Sequence, residues 1–163
     1  MPDRDYYFDE DKAEKRDLYK AHIAKMMKLL DSSLDEASST QIANSVFELE
    51  LSIAESHMTK TEKRDPLATY NKMTIAEMKD TLCEGKFNFD AYFEGVGKSV
   101  SEIIDINVAT TKAIQYACNL IATSEADVFE NYLRWNVLHA NAQFLSQAFV
   151  DEDFEFFKKT LSG

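Results

Sequence analysis

Four glycines and two prolines in 163 residues leave this chain few places to turn sharply, and that scarcity restricts its fold more than any other feature. Sandwiches and barrels need turn residues at short intervals, whereas helices are broken by them, so the chain is predicted to be all-α. The hydrophobic pattern agrees. Leu18, Tyr19, His22, Ile23, Met26, Met27 and Leu30 recur at the spacing of one helical face and predict a helix from about Glu10 to Leu30.

Ile42, Val46, Leu49 and Ile53 predict a second helix from about Ser39 to Met58. The charged run from Lys60 to Asp65 ends at Pro66, and a residue before proline is driven out of the α region, so this stretch reads as a connector. Thr74-Ile75-Ala76-Glu77 has the form of a capping box. Asn88 is placed to cap a short turn over Phe89 to Phe93, ended by Gly95 and Gly97. The β-branched stretch 102–108 reads as a short extended segment. A helix from about Ala109 to Ala122 carries Ile114, Ala117, Cys118 and Ile121 on one face. Ser124-Glu125-Ala126-Asp127 resembles another capping box and opens the longest predicted helix, about Glu125 to Phe149. Its stripe is Val128, Tyr132, Trp135, Leu138, Ala142, Leu145 and Phe149. Asp151 is expected to cap a last helix ending at Gly163. The result is a multi-helix bundle of about five main helices with short helical turns between them.

With 18 basic against 29 acidic residues, the net charge is −11. That balance excludes nucleic-acid phosphate and an anionic membrane surface as main partners, since both need clustered Lys and Arg. At 45% hydrophobic and 29% charged the composition is that of a globular chain. Cys83 and Cys118 allow at most one bridge, so this is no disulfide-stapled scaffold, and the redox compartment stays open. The charged start Met1-Pro2-Asp3-Arg4-Asp5 does not read as a secretory signal, no stretch reads as a membrane span, and no Asn-x-Ser/Thr sequon occurs. Cytoplasmic and secreted locations both remain open.

Chemistry-bearing patterns are sparse. Asp3, Asp5, Tyr7, Asp9, Asp11 and Glu14 fall at the ligand positions of a calcium loop, but Phe8 stands where such a loop needs Gly. Carboxylates favouring the positive end of a helix explain the run better. His22, His57 and His139 stand alone, without a H-E-x-x-H or Glu-x-x-His unit. His22 and His139, on or beside apolar stripes, are expected to be hydrogen-bonded structural residues. Cys118, on an apolar face, is expected to be a small core residue. Asp151, Glu152, Asp153 and Glu155 read as a solvated helix start. No Gly-rich phosphate loop, nucleophile elbow or Cys-x-x-Cys is present.

Three stretches taken in order carry more information. They are Pro2-Asp3-Arg4-Asp5-Tyr6-Tyr7; Arg64-Asp65-Pro66 leading into Thr69-Tyr70-Asn71-Lys72-Met73-Thr74; and Tyr132-Leu133-Arg134-Trp135 leading on to Leu145-Ser146, Ala148-Phe149 and Leu161-Ser162-Gly163. Together they resemble the N-terminal part of the neprilysin and endothelin-converting-enzyme family of zinc metallopeptidases, over essentially the whole chain. The resemblance implies a single helical domain over 1–163, part of a lobe that faces a thermolysin-like catalytic lobe across a substrate chamber. The zinc motif and catalytic base of that family lie in the other lobe and have no counterpart here. The resemblance therefore implies no catalytic and no metal residue in this chain, zinc only in the catalytic lobe of the parent enzyme, and no assigned substrate-binding residue. Asn141-Ala142-Gln143 looks like the family's substrate-clamping strand but falls mid-helix in the predicted elements, so it is rejected.

The expected role is steric: a wall that limits which peptides reach a zinc-activated water. The implied partners are the catalytic lobe of the same polypeptide and the parent's peptide substrates. The conspicuous residues are expected to be structural, with Trp135 and Tyr132 in the core, Pro66, Tyr70 and Asn71 fixing the connector, Thr74 capping, and Arg134 pairing with a carboxylate. At least one of Phe154, Phe156, Phe157, Tyr6 and Tyr7 is expected to be exposed or to pack on another molecule. The rival reading is a stand-alone acidic interaction module whose charge steers basic partners. A calcium-binding helical protein is a third.

Overall fold

Residues 1–161 are described by the computed structural model. In chain order they form α1 (Asp5–Phe8), α2 (Ala13–Leu30), α3 (Glu36–Ser56), β1 (Lys72–Met73), α4 (Ile75–Thr81), α5 (Phe89–Gly95), β2 (Ile106–Asn107), α6 (Thr111–Thr123), α7 (Ala126–Asn141) and α8 (Gln147–Phe154). A π-helical turn, Glu155–Leu161, extends α8. The fold is all-α apart from one antiparallel ladder, in which Lys72 faces Asn107 and Met73 faces Ile106. Of the extended segment expected near 102–108, only Ile106–Asn107 forms a strand of that ladder, and Glu102 ends a 3₁₀ turn that starts at Val100. The expected end of the last helix at Gly163 lies outside the described residues.

The chain divides into two compact units, Met1–Ala54 with Glu125–Gly163, and Glu55–Ser124. In the first, α2 buries Tyr19, His22, Ile23, Met26 and Met27, the three-and-four repeat of a single face, while Leu18 and Leu30 at the margins of that stripe are exposed. Against it pack Ala43, Val46 and Phe47 of α3, Trp135 and Leu138 of α7, and Phe156 and Leu161 of the π-turn. Trp135 is only 1% exposed. At the start of α3, the Asp35 carboxylate accepts from the Ser38 amide at 2.7 Å, which satisfies one free helical N–H. At 21 residues α3 is the longest described helix.

The continuous helix expected over Glu125–Phe149 does not form. α7 stops at Asn141, Ala142–Phe144 make a 3₁₀ turn, Leu145 and Ser146 are extended, and α8 begins in a new direction. The physical reason is core burial. Phe149, Phe156 and Leu161 join the same cluster as Trp135, which a straight rod would carry past it. Fourteen positions of unbroken helix would set His139 and Asp153 about 21 Å apart; across the break His139 Nδ1 lies 3.7 Å from Asp153 Oδ1. Three further expectations change with it. Asp151 lies inside α8 and caps nothing, Leu145 is exposed, and Asn141-Ala142-Gln143 straddles a helix end rather than a helix middle. The box expected at Ser124–Asp127 is also absent: Glu125 holds the cap position of α7 and makes no side-chain cap bond.

In the second unit the Thr74 box is formed in both directions. Thr74 Oγ1 accepts from the Glu77 amide at 3.2 Å, and the Glu77 carboxylate accepts from the Thr74 amide at 2.7 Å. Asn88 Oδ1 caps α5 by accepting from the Ala91 amide at 3.0 Å. The core is Ile75, Met78, Phe89 and Val108 around a disulfide between Cys83 and Cys118. Cys118 is buried as expected of a small core residue, and the one bridge that the two cysteines allow is formed. Glu84 and Gly85 both adopt positive φ just after Cys83, and this reversal turns the chain away from α4. The Cα atoms of the two cysteines stand 5.3 Å apart across 35 positions of sequence.

Two outcomes follow from these cores. Trp135→Ala is expected to lower stability by roughly 3–5 kcal/mol, read from urea unfolding followed by circular dichroism; an unchanged midpoint would remove Trp135 from the core. Replacing both cysteines with Ser is expected to cost about 3–4 kcal/mol through the lost loop constraint. The check is that a reductant destabilises the parent protein and leaves the double variant unchanged.

Candidate functional site

Polar chemistry in the first unit gathers around two carboxylates. Glu50 on α3 accepts from Tyr7 Oη at 2.9 Å through one oxygen and from Tyr19 Oη at 3.1 Å through the other. Tyr19 Oη in turn accepts from the Trp135 indole N–H at 3.2 Å. Burial, reinforced by the Glu50 charge, pushes both phenols well above the usual tyrosine range, so they remain neutral donors.

Glu152 is the second centre. It was expected in a solvated helix start, yet it is buried, because the break before α8 turns it onto α2. One carboxylate oxygen lies 2.9 Å from His22 Nδ1 and the other pairs with Lys25. With Glu152 ionised, Nδ1 carries the proton and donates. His22 Nε2 then points into the core without a partner among the described residues. Its ring stacks on Phe156 at 4.6 Å and meets Trp135 edge-on at 5.5 Å. Burial lowers the His22 pKa from its ordinary value, with Glu152 pulling the other way. His139 stacks between Trp135 and Phe157, and its pKa is lowered by the same cause against the opposing charge of Asp153.

The connector residues meet in the second unit around Asn107, a residue that no pattern in the sequence marks. Asn107 Oδ1 accepts from the Asn71 amide at 2.6 Å, and its Nδ2 donates to the Thr69 carbonyl at 3.0 Å. Asn71 Nδ2 donates to the Ala68 carbonyl at 3.0 Å, and Lys72 pairs with Asp105 at 2.8 Å. A side chain that mimics the next rung of a two-residue ladder leaves no periodic signal, so only the fold reveals it. Thr74 caps α4 directly after this ladder. Pro66 is exposed and Tyr70 is 66% exposed, so the ring of Tyr70 lies outside the cluster that Asn71 helps to build. In the first unit Trp135 is buried, Tyr132 is half-buried against the same core, and Arg134 pairs with Glu130 at 2.8 Å on the surface of α7. Among the five aromatic residues flagged for exposure, Phe154 is exposed, Phe156 is buried, and Tyr6, Tyr7 and Phe157 lie between.

These groups do not fit a zinc site. Both cysteines are consumed by the disulfide, His22 is enclosed by rings and a carboxylate, and no group of three or more His, Cys, Asp or Glu among the described residues could hold a metal ion. The N-terminal acids serve local structure instead: Asp3 accepts from the Asp5 amide at 3.0 Å, where α1 begins. No described helix is long and apolar enough to cross a membrane.

Residues 1–163 match the N-terminal profile of Peptidase family M13. Among curated proteins the chain is 27% identical over 159 residues to endothelin-converting enzyme 1 of Homo sapiens, a match covering 96% of this chain and 20% of that protein. It is 28% identical over 172 residues to membrane metallo-endopeptidase-like 1 of Mus musculus, covering 100% of this chain and 22% of that one. The open-state structure of the Mycobacterium tuberculosis zinc metalloprotease Zmp1 superposes with a TM-score of 0.91 at 27% identity, over 100% of this chain and 25% of that one. The chain thus spans about a fifth of the length of the curated relatives it matches.

His22, which is buried, and His139, whose side chain is 42% exposed, set a pH dependence. Their folded pKa values lie below the ordinary value of 6.5, so between 6.5 and the depressed value the unfolded chain binds more protons and stability falls as pH falls. Urea unfolding followed by the fluorescence of the single Trp is expected to show a lower midpoint at pH 5.5 than at pH 7.5, with a smaller difference in His22→Gln. A midpoint that rises on acidification would contradict the assignment.

Proposed function

Because this chain belongs to Peptidase family M13, we propose that it is a section of the N-terminal helical lobe of a zinc-dependent metalloendopeptidase, walling the substrate chamber and limiting the size of peptide admitted. The observation that carries this reading is the superposition on Zmp1 over the full chain but only 25% of the relative. A chain that matches from end to end and covers so little of its relatives fits a structural section of a larger enzyme. The side chains named above support the same reading, because Glu50, Glu152 and His22 hold the core of the first unit and Asp3 accepts at the start of α1.

In this reading the zinc and the catalytic base belong to polypeptide outside this chain. Zinc supplies a polarised carbonyl and an activated water, chemistry that cuts any peptide bond able to reach it. What these helices contribute is exclusion. Stiff elements, each packed on the core of its own unit, keep their shape when a substrate presses on them, so folded proteins are rejected while short flexible peptides enter. The single lobe section over 1–163 is proposed to act with its catalytic partner lobe, and peptides are its only proposed ligands.

The test uses the full polypeptide carrying this chain together with the 163-residue chain alone. The full polypeptide is expected to cleave short fluorogenic peptides, to lose that activity with a zinc chelator, and to leave folded proteins intact; the 163-residue chain with added zinc is expected to be inactive. Hydrolysis by the 163-residue chain, or chelator-resistant hydrolysis by the full polypeptide, overturns the assignment. Equal cleavage of folded proteins and short peptides overturns the wall.

A further inference from the structure

The outer face of α7 carries an apolar concavity that no element among the described residues of the first unit covers. Leu133 and Val137, one helical turn apart on α7, are 59% and 64% exposed, and Phe144 in the turn that follows is 76% exposed. With Leu145 and the α2 end at Leu30 they line a cavity of about 750 Å³ whose floor is Leu138. The polar groups at its edge are already satisfied. Glu130 and Arg134 pair with each other at 2.8 Å, and the Asn141 amide donates back to the Val137 carbonyl at 2.7 Å. A contiguous apolar surface with a neutral, self-paired rim is the form of a docking site rather than of a solvated helix face.

We propose that this face docks an apolar helix from the part of the M13 polypeptide that lies outside this chain. The inference rests on the functional reading above and names the partner of one wall surface. Three observations select that occupant. First, the matched relatives are four to five times longer than the section they share with this chain, and 75% of the Zmp1 chain (100% less the 25% matched) lies outside it, which is ample polypeptide to cover the face. Second, a second copy of the chain is disfavoured by charge: each copy carries −11, and a rim with no net charge offers nothing to offset their repulsion. A segment of the same polypeptide is instead held at an effective concentration on the order of millimolar, which brings it to the face without charge attraction. Third, the shape selects a helix. Leu133 and Val137 form an i,i+4 ridge, and the concavity between them, Phe144 and Leu30 is the groove into which another helix sets its own ridge.

The experiment places a cysteine at Val137, on the ridge of the proposed docking face. Val137→Cys in the full polypeptide is reacted with a maleimide under native conditions and in urea, and labelling at position 137 is read by peptide mass spectrometry, with Cys83 and Cys118 held in their disulfide. Labelling at least tenfold slower in the native full polypeptide than in urea, against a difference below threefold in the 163-residue chain, is expected. Labelling of the native full polypeptide within twofold of the unfolded rate overturns the proposal. So does protection in the 163-residue chain that increases with its concentration, since that makes a second copy the occupant. Val137→Asp supplies an independent reading: it is expected to leave the melting temperature of the 163-residue chain unchanged and to lower that of the full polypeptide, and equal effects on both overturn the docking. Peptide hydrolysis is measured on the same preparations. Chelator-sensitive activity with an unprotected position 137 defeats this inference alone, whereas a protected position in a polypeptide without that activity defeats the functional reading alone.

Discussion

Burying Trp135 completely obliges the first unit to find a partner for one indole N–H, and much of the arrangement follows from how it does so. Tyr19 on α2 accepts that hydrogen bond and donates its own O–H to Glu50 on α3, so three helices are tied through one chain of polar atoms. On the other side of the indole, His22 turns its edge to the ring and its Nδ1 to Glu152 on α8, which also pairs with Lys25. The apolar side chains supply most of the burial free energy, but apolar packing is tolerant of small slips along a helix axis. Hydrogen bonds are not. A shift of one residue in α3 or α8 would leave a buried tyrosine, histidine or carboxylate unpaired, at a cost comparable to a large fraction of the stability of a domain. The polar chains therefore fix the register that the hydrophobic contacts merely permit.

What the sequence revealed and what it hid divide along physical lines. Helical periodicity located α2, α3, α6 and α7, although on α6 only Cys118 of the predicted stripe is buried and Ile121 is exposed, and a local exchange of hydrogen bonds made the Thr74 box and the Asn88 cap readable from residues three apart. The family resemblance was also legible, and it governs the functional reading. Features that depend on distant partners were not visible. The Cys83–Cys118 bridge joins positions 35 apart with no motif at either end. Glu152 looked like one of several solvated acids, since nothing in its neighbourhood in sequence announces His22 across 130 positions. Asn107 completes a two-residue ladder, too short to impose an alternation of its own. In each case the missing information was the tertiary path, and not the chemistry of the residue.

The placement of charge separates two uses of acidic residues in this chain. Asp3, Asp35 and Glu77 accept from backbone amides at the starts of helices, where they compensate the unpaired N–H groups and the positive end of the helix. Glu50 and Glu152 are instead consumed by tyrosine, histidine and lysine inside a packed unit. Neither use leaves a carboxylate beside a second titratable group in a contrasting environment and open to a substrate, the arrangement that general acid–base chemistry requires.

The break between α7 and α8 links the stability of the unit to its exterior. Had the helix continued from Ala126 to Phe149, its apolar stripe would have kept its direction and Leu145 would have pointed with Leu138 toward the core. Stopping at Asn141 costs several intrahelical hydrogen bonds, in part replaced where the His139 carbonyl accepts from the Ala142 amide and the Ala142 carbonyl from the Leu145 amide at 3.2 Å. The reversal returns Glu152 to His22 and Phe156 and Leu161 to the core, which offsets that loss. It also throws Phe144 and Leu145 outward, next to Leu133 and Val137, where α7 alone would have offered two isolated side chains. Isolated apolar residues on a surface are ordinary, whereas a contiguous set forms a face. The same backbone turn that closes the core therefore assembles the outer surface, so any substitution that straightened the break would be expected to lose both together.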